Sequence, residues 1–108
     1  MNVDVLTAFF QAENTRNWER YAEYLHSQVV WTLHTQPART VTGRAAYVAA
    51  MQAAYAGSDS RFVCAQQLVS ADGQRIATVL VNQYGQRSVD IFQFADGLIV
   101  REDEFLLD

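Results

Sequence analysis

The sequence is poor in residues that form disulfides and metal sites: among its 108 residues are one cysteine, Cys64, and two histidines. A lone cysteine excludes an internal disulfide and is typical of the reducing cytoplasm. The histidines and the cysteine fall into no zinc-binding spacing such as CxxC or HExxH. The glycine-rich motifs that hold phosphates and dinucleotides are missing too. We therefore expect neither a metal ion nor a bound cofactor.

Positive charge and long apolar runs are also scarce. The net charge is −4 and no basic run occurs, which argues against binding to nucleic acid or to an anionic membrane surface. No segment approaches the ~18 consecutive apolar residues of a transmembrane helix. The first residues, MNVDVLTAFF, have neither the basic start nor the cleavage site of a signal peptide. The expected location is the cytoplasm, with no membrane partner.

The chain does have enough apolar material for one core, because half of its residues are hydrophobic. Its length favours a single domain spanning residues 1–108. Apolar periodicity and turn residues predict three helices and six strands. The helices are expected over Val3–Asn14, Trp18–His26 and Arg44–Ala56, and the strands over Gln28–His34, Arg39–Thr42, Arg61–Ser70, Gln74–Tyr84 and the two arms of a closing hairpin, Ser88–Asp108.

This element order predicts an α+β fold. A curved, cone-shaped and mostly antiparallel sheet would wrap around the three helices of the N-terminal half. The mouth of the cone, between the helices and the sheet, is a natural cavity for a small molecule.

The closing hairpin brings carboxylates onto an apolar face of the sheet. Alternation along the first arm places Asp90 on the same side as Phe92. A three-residue loop sets Asp90 opposite Glu102, whereas a two-residue loop, Asp96-Gly97, sets it opposite Asp103. The longer loop is preferred because it groups the large apolar residues on one face. That face would then carry three carboxylates: Asp90, Glu102 and Glu104.

Four stretches, in this order and spacing, resemble the nuclear transport factor 2-like superfamily, and within it the SnoaL-like and ketosteroid-isomerase-like branch. Asn17-Trp18 precedes the second helix, Val29-Val30-Trp31 begins the first strand, and Thr42-Gly43-Arg44 leads into the third helix. The hairpin motif VDIFQF followed by DGLI lies between residues 89 and 99. The resemblance implies a cystatin-like or nuclear transport factor 2-like α+β barrel with an apolar pocket, usually as a homodimer. It does not fix a reaction.

The resemblance carries over to the isomerase residues only in part. Asp90 matches the strand acid that donates a hydrogen bond to the oxyanion. The position of the isomerase base is occupied by Leu33, and Phe9 replaces the tyrosine of the first helix. Steroid isomerase chemistry is therefore not expected. The acid–arginine–acid set of related hydrolases is not expected either, because the preferred register directs Arg87 and Arg101 away from Asp90.

Asp90 and His34 are the candidate catalytic residues. Burial raises the pKa of a carboxylic acid and allows it to exchange protons near neutral pH; the alternative is a carboxylate paired with an arginine or exposed to water. His34 ends the first strand, either lining the cavity mouth or lying at the surface in a structural role. The candidate substrate-binding residues are Trp31, Tyr47, Met51, Tyr55, Phe92, Glu102 and Glu104. For the aromatic residues the alternative is plain core, and for the two glutamates a solvated rim.

Two functions of different class fit this sequence. The first is an enzyme of isomerase, cyclase or hydratase type that performs acid–base chemistry on a small apolar molecule, centred on Asp90. The second is a non-catalytic ligand-binding or dimerisation domain that has lost the isomerase residues. The outer face of the sheet is expected to be apolar as well, which predicts a homodimer packed through that face. The hairpin would contribute Val89, Ile91, Ile99 and Phe105 to it.

Overall fold

Three helices and six strands make up residues 1–107, the part of the chain that the structure, a computed structural model, describes. The helices are α1 (Asn2–Asn14), α2 (Trp18–Glu23) and α3 (Arg44–Tyr55). The strands are β1 (Leu25–Leu33), β2 (Arg39–Thr42), β3 (Phe62–Val69), β4 (Arg75–Asn82), β5 (Arg87–Ala95) and β6 (Leu98–Leu106). No helix within residues 1–107 is long and apolar enough to cross a bilayer.

The six strands form one open, mixed sheet in the order β2-β1-β6-β5-β4-β3. Strands β3 to β6 are an antiparallel meander, as expected, and β1 joins it by pairing parallel to β6. The sheet ends at β2 and β3 rather than closing into a complete barrel. The predicted α+β fold is confirmed.

The main core lies between α1 and the inner face of the sheet. Leu6 and Phe9 on α1 are fully buried. The ring of Phe92 on β5 lies 6.0 Å from that of Phe9 and 5.6 Å from that of Phe10, both edge-on. Edge-to-face aromatic pairs stabilise a core beyond their buried area. Phe92, a candidate substrate-binding residue, is therefore packed core.

Helix α2 ends at Glu23, three residues before its predicted end at His26. Leu25, which continues the apolar spacing of the helix, is instead the first residue of β1 and is fully buried. The backbone confirms the switch, because the amide of Ile99 on β6 donates to the carbonyl of Tyr24 at 2.9 Å. A buried leucine suits either element, so apolar spacing alone placed this boundary too late.

The closing hairpin turns over two residues rather than the preferred three. Ala95 pairs with Leu98, and the turn residues Asp96 and Gly97 both have positive φ, 54° and 76°. Two consecutive left-handed residues are typical of the type I′ turn, whose twist matches that of the flanking strands.

A β-bulge beside the turn changes the register a second time. Phe94 pairs with Ile99, but its neighbour Gln93 pairs with Arg101, so that Val100 is the extra residue of β6. A bulge inserts one residue into one strand and reverses the facing of the residues that follow it.

Both registers predicted from the sequence are therefore wrong. Asp90 faces Glu104, and Phe92 faces Glu102. Ile99, predicted to lie on the outer face, is fully buried on the inner side. The two changes together shift the register by an even number of residues, so the carboxylates still share the inner face.

Valine in place of Gly97 is expected to lower the free energy of unfolding by about 1–2 kcal/mol, because a side chain with a Cβ is disfavoured in the left-handed region. Urea unfolding measures this loss. Asp96→Asn is the matched control and should leave stability unchanged, since asparagine is preferred in this turn. Equal stability of Gly97→Val and the parent protein would contradict the turn conformation.

Candidate active site

A cavity of about 340 Å³ lies between the helices and the inner face of the sheet. This volume is within the range of small-molecule sites, ~300–1,000 Å³. Its walls combine aromatic, aliphatic, amide and carboxyl side chains. The lining residues are Phe10, Glu13, Tyr21, Met51, Tyr55, Ser60, Phe62, Leu80, Asn82, Gln86, Arg87, Ser88, Asp90, Glu102, Glu104 and Leu106.

Three carboxyl groups meet on the sheet side of the cavity, and we call them the sheet carboxyl cluster: Asp90 on β5 and Glu102 and Glu104 on β6. One carboxyl oxygen from each lies within 4.8 Å of those of the other two. Asp90 and Glu102 are only 3% and 6% exposed. The hairpin register brings them together, because Asp90 pairs directly with Glu104 and Glu102 is two residues away on the same face.

Each member of the cluster accepts a hydrogen bond from a neighbouring side chain. The Ser88 hydroxyl donates to Asp90 Oδ1 at 2.6 Å, and Trp31 Nε1 donates to Glu104 Oε1 at 3.1 Å. The Tyr47 hydroxyl donates to Glu102 Oε1. Such bonds fix the direction in which each carboxyl points.

Burial sets the protonation of the cluster. It raises the pKa of Glu102 well above its usual range, and the hydrogen bond and negative charge of Asp90 raise it further. Burial also raises the pKa of Asp90, while hydrogen bonds from Glu102 and Ser88 lower it. Glu102 is therefore the proton donor and Asp90 the acceptor within this pair. Burial and the charge of Asp90 raise the pKa of Glu104 to about 7.

A fourth carboxyl group, on Glu13 of α1, lines the same cavity. The Tyr55 hydroxyl donates to Glu13 Oε2 at 2.6 Å. Burial, followed by the charges of Asp90 and Glu104, raises the pKa of Glu13 to about 8, although the bond from Tyr55 lowers it. The sequence analysis missed Glu13. The signal was present, because Glu13 follows Phe9 by four residues and so lies on the apolar stripe of α1.

The predicted substrate-binding residues divide into two groups. Met51 and Tyr55 line the cavity, as do Glu102 and Glu104. Trp31, Tyr47 and Phe92 are buried and are not among the described residues of the lining. Trp31 and Tyr47 act on the cavity indirectly, through their hydrogen bonds to the carboxyl cluster.

His34, a candidate catalytic residue, is not among the described residues that line this cavity. Of the two places predicted for it, the structure shows the one at the surface, in a structural hydrogen bond. Its Nε2 lies 2.8 Å from Asp103 Oδ1, and its ring stacks on Phe105 with the centroids 4.3 Å apart. Asp103 alternates with Glu102 and Glu104 along β6, so it points to the outer face of the sheet. The side chain of His34 follows it there.

The two arginines that flank the hairpin lie in different places. Arg101 lies on the outer face, where its Nε donates to Asp103 Oδ2 at 3.0 Å. Arg87, expected to point away from Asp90, is instead one of the residues that line the cavity.

The fold agrees with the comparison to known families. The SnoaL-like domain family matches residues 6–102, nearly the whole chain. The chain belongs to the SnoaL-like family. This confirms the resemblance drawn from the sequence motifs. No curated protein matches the SnoaL-like chain.

Solved structures of similar proteins cover nearly all of this SnoaL-like chain. A protein from Kribbella flavida, described as a candidate ketosteroid isomerase, is 26% identical, with a TM-score of 0.86 over 99% of this chain and 78% of that one. SalBIII, an epoxide hydrolase/cyclase-like enzyme in pyran ring formation in the polyether salinomycin, is 15% identical, with a TM-score of 0.81 over 98% and 90%. A ketosteroid-isomerase-like protein from Catenulispora acidiphila, solved in complex with trimethylamine, is 12% identical, with a TM-score of 0.77 over 93% and 82%. The last two show a shared fold.

Proposed function

We propose that this SnoaL-like protein is an enzyme that moves protons on a small neutral molecule, with the sheet carboxyl cluster as the proton acceptor. The observation that carries the proposal is that three carboxyl groups, two of them buried and that of Glu104 half-buried, lie within 4.8 Å of one another in the wall of a cavity. If all three carboxyl groups were ionised, their charges would repel one another strongly. If all three were protonated, no base would remain. Near neutral pH, such a cluster holds both a proton and a negative charge, which acid–base catalysis requires.

The contacts of the cluster suggest the role of each member. Asp90 is the central base, oriented by Ser88 and by the proton that Glu102 holds. Glu104 shares the negative charge of the cluster with Asp90. Phe10, Met51 and other apolar residues of the lining suit a substrate with an apolar body. A base that removes a proton from carbon or oxygen can start an isomerisation, a cyclisation or a hydration, and the described roles of the Kribbella flavida protein and SalBIII belong to this class of chemistry.

Exchange of the α-protons of 2-tetralone in D₂O, followed by NMR, tests this function with a simple apolar ketone. The protein should accelerate exchange above the rate in buffer alone, and the double variant Asp90→Asn/Glu104→Gln should abolish the acceleration. Asp103→Asn is the matched control, because Asp103 lies between the two glutamates but on the opposite face. Exchange at the buffer rate, or equal exchange by the double variant, would overturn the proposal.

A second candidate function is non-catalytic binding of a small organic cation. Four carboxyl groups and the rings of Tyr21 and Tyr55 line the cavity, and rings and carboxylates together suit an ammonium group. The Catenulispora acidiphila protein of the same fold was solved with trimethylamine. Calorimetric titration with trimethylammonium chloride distinguishes the two functions: binding without catalysed ketone exchange favours this one.

We also propose that the protein is a homodimer packed through the outer face of the sheet. The helices cover only the inner face, and the outer face carries apolar residues from four adjacent strands. Val63 and Leu68 on β3 are 67% and 62% exposed. Strand pairing continues the apolar surface through Val79, Val81, Val89, Ile91 and Phe105.

A further inference from the structure

Glu13, on α1, lines the same cavity as the sheet carboxyl cluster and has no part in the proton removal proposed above. Building on that proposed function, we infer that Glu13 is a second catalytic residue, which donates a proton to the carbonyl oxygen of the substrate. Tyr55 is its positioning residue. The substrate class is then an apolar ketone, bound with its oxygen toward α1 and its α-carbon toward β5 and β6.

The first support is the placement of the groups on different layers. Glu13 belongs to α1, whereas Asp90, Glu102 and Glu104 belong to the sheet, and all four line one cavity. A molecule that fills this cavity therefore meets both the helix carboxyl and the sheet carboxyls. Enolisation of a ketone needs this arrangement, because the proton leaves from carbon while negative charge develops on the neighbouring oxygen.

The second support is that the helix carboxyl is held in place by its own contacts. The Tyr55 hydroxyl donates to Glu13 Oε2 at 2.6 Å, and the guanidinium of Arg16 lies 4.1 Å above the Tyr55 ring. Arg16 is held in turn by the carbonyl oxygens of Glu13 and Ser60, at 3.0 and 2.7 Å. This chain of contacts runs from α1 through α3 to the loop before β3. Preorganised contacts of this kind keep a catalytic group in the geometry that it needs.

The groups that face Glu13 explain why it keeps its proton. Burial raises its pKa most, and the negative charges of Asp90 and Glu104 raise that pKa further. Arg87 is the cationic residue of the lining, and Arg16 contacts Tyr55 rather than the Glu13 carboxyl. The titratable and charged groups around Glu13 are Arg16, Tyr21, Tyr55, Arg87, Asp90, Glu102 and Glu104.

The proposed step balances with these groups alone. The carboxylate of the cluster takes the α-proton, and the electron pair of the broken C–H bond forms a C=C bond. The π electrons of the carbonyl move to its oxygen, which takes the proton from Glu13 to give a neutral enol. The proton that the cluster has taken exchanges with solvent. In the reverse step the enol proton returns to Glu13 and the cluster delivers a proton, or a deuteron in D₂O, to carbon. The enzyme returns to its first protonation state, and in D₂O the carbon has gained deuterium.

These separate roles of the cluster and Glu13 predict a narrow bell-shaped dependence of the exchange rate on pH. The cluster must be ionised, and burial raises the pKa values of both Asp90 and Glu104 within it, that of Glu104 to about 7. Glu13 must be protonated, and its pKa is about 8. The acidic limb of the profile therefore reports ionisation of the sheet carboxyl cluster, and the alkaline limb reports ionisation of Glu13 on α1.

Glu13→Gln is the decisive variant in the 2-tetralone exchange assay. Glutamine keeps the acceptor oxygen for Tyr55 but has no transferable carboxyl proton, so exchange should slow by roughly 10²–10⁴-fold and the alkaline limb should disappear. The acidic limb should remain. Glu23→Gln on the exposed end of α2 is the matched control and should leave both limbs unchanged.

Tyr55→Phe tests the positioning role separately. The Tyr55 hydroxyl lowers the pKa of Glu13, so its removal should move the alkaline limb to higher pH, which loss of packing alone would not do. If Glu13→Gln exchanges as fast as the parent with both limbs intact, the role of Glu13 is overturned while the proposed function stands. If the parent protein does not accelerate exchange at all, both are overturned.

Discussion

Asparagine in place of Asp90 is expected to slow 2-tetralone exchange by roughly 10²–10⁴-fold, the usual loss when a general acid–base group is removed. The same substitution should increase the free energy of unfolding near neutral pH. Asparagine has nearly the shape of aspartate and keeps the oxygen that accepts from Ser88. It removes the negative charge that is buried with Glu102 and Glu104 and replaces one carboxylate oxygen by an NH₂ group. Opposite effects on activity and stability are typical of a catalytic group held at a cost to the fold.

The direction of the stability change follows from the pKa shift. Burial raises the pKa of Asp90 in the folded protein, so the folded state binds this proton more tightly than the unfolded state does. The corresponding stability is fully present below the unfolded pKa and is lost as the pH rises through the folded pKa. The same holds for Glu104 and Glu13, whose pKa values rise from 4.5 to about 7 and about 8. The parent protein should therefore lose stability as the pH rises across this interval.

Urea unfolding from about pH 5 to about pH 8 measures this dependence. The decline should be shallower for Asp90→Asn, since one titrating group is gone and its charge no longer raises the pKa values of Glu104 and Glu13. Asp96→Asn, an exposed residue of the same hairpin, is the control and should follow the parent. An Asp90→Asn variant that is clearly less stable at neutral pH would make Asp90 an ionised structural partner and remove it from the catalytic set.

The carboxyl cluster was predictable from the sequence even though the hairpin register was not. Side chains alternate with a period of two, so Glu102 and Glu104 share a face whatever the turn does. The shorter turn and the bulge at Val100 each shift the pairing, and the shifts combine to an even number. Asp90 therefore still meets the two glutamates, although its direct partner is Glu104.

The features that sequence reasoning missed depend on the packing of one layer against another. Glu13 lies on the apolar face of α1, but only the placement of α3 supplies Tyr55 as its partner. For His34 at the end of β1 the sequence left both the cavity mouth and the surface open, and only the pairing of β1 with β6 directs it to Asp103. A single-domain chain and a cytoplasmic location remain predictions.

Glutamate in place of Ile91 is expected to convert the proposed homodimer into monomers. Ile91 lies on β5 near the centre of the apolar outer face, where it pairs across the sheet with Ala77 and Asp103. In a two-fold dimer each subunit would bury the new carboxylate against the other's apolar surface. Each unpaired buried charge costs roughly 3–5 kcal/mol. The two charges of the dimer together therefore cost roughly 6–10 kcal/mol, which corresponds to a dissociation constant raised by about 10⁴–10⁷-fold.

Sedimentation velocity at micromolar concentration shows the effect directly, as a dimer for the parent protein and a monomer for Ile91→Glu. Gln52→Glu adds the same charge on the exposed side of α3, away from the sheet, and should remain a dimer. Circular dichroism then shows whether the Ile91→Glu monomer keeps its fold, which it should because Ile91 is only half-buried in one chain. A monomeric parent protein would overturn the dimer. A dimeric Ile91→Glu variant would instead place the interface elsewhere, and the apolar face of β3 to β6 would then need another partner.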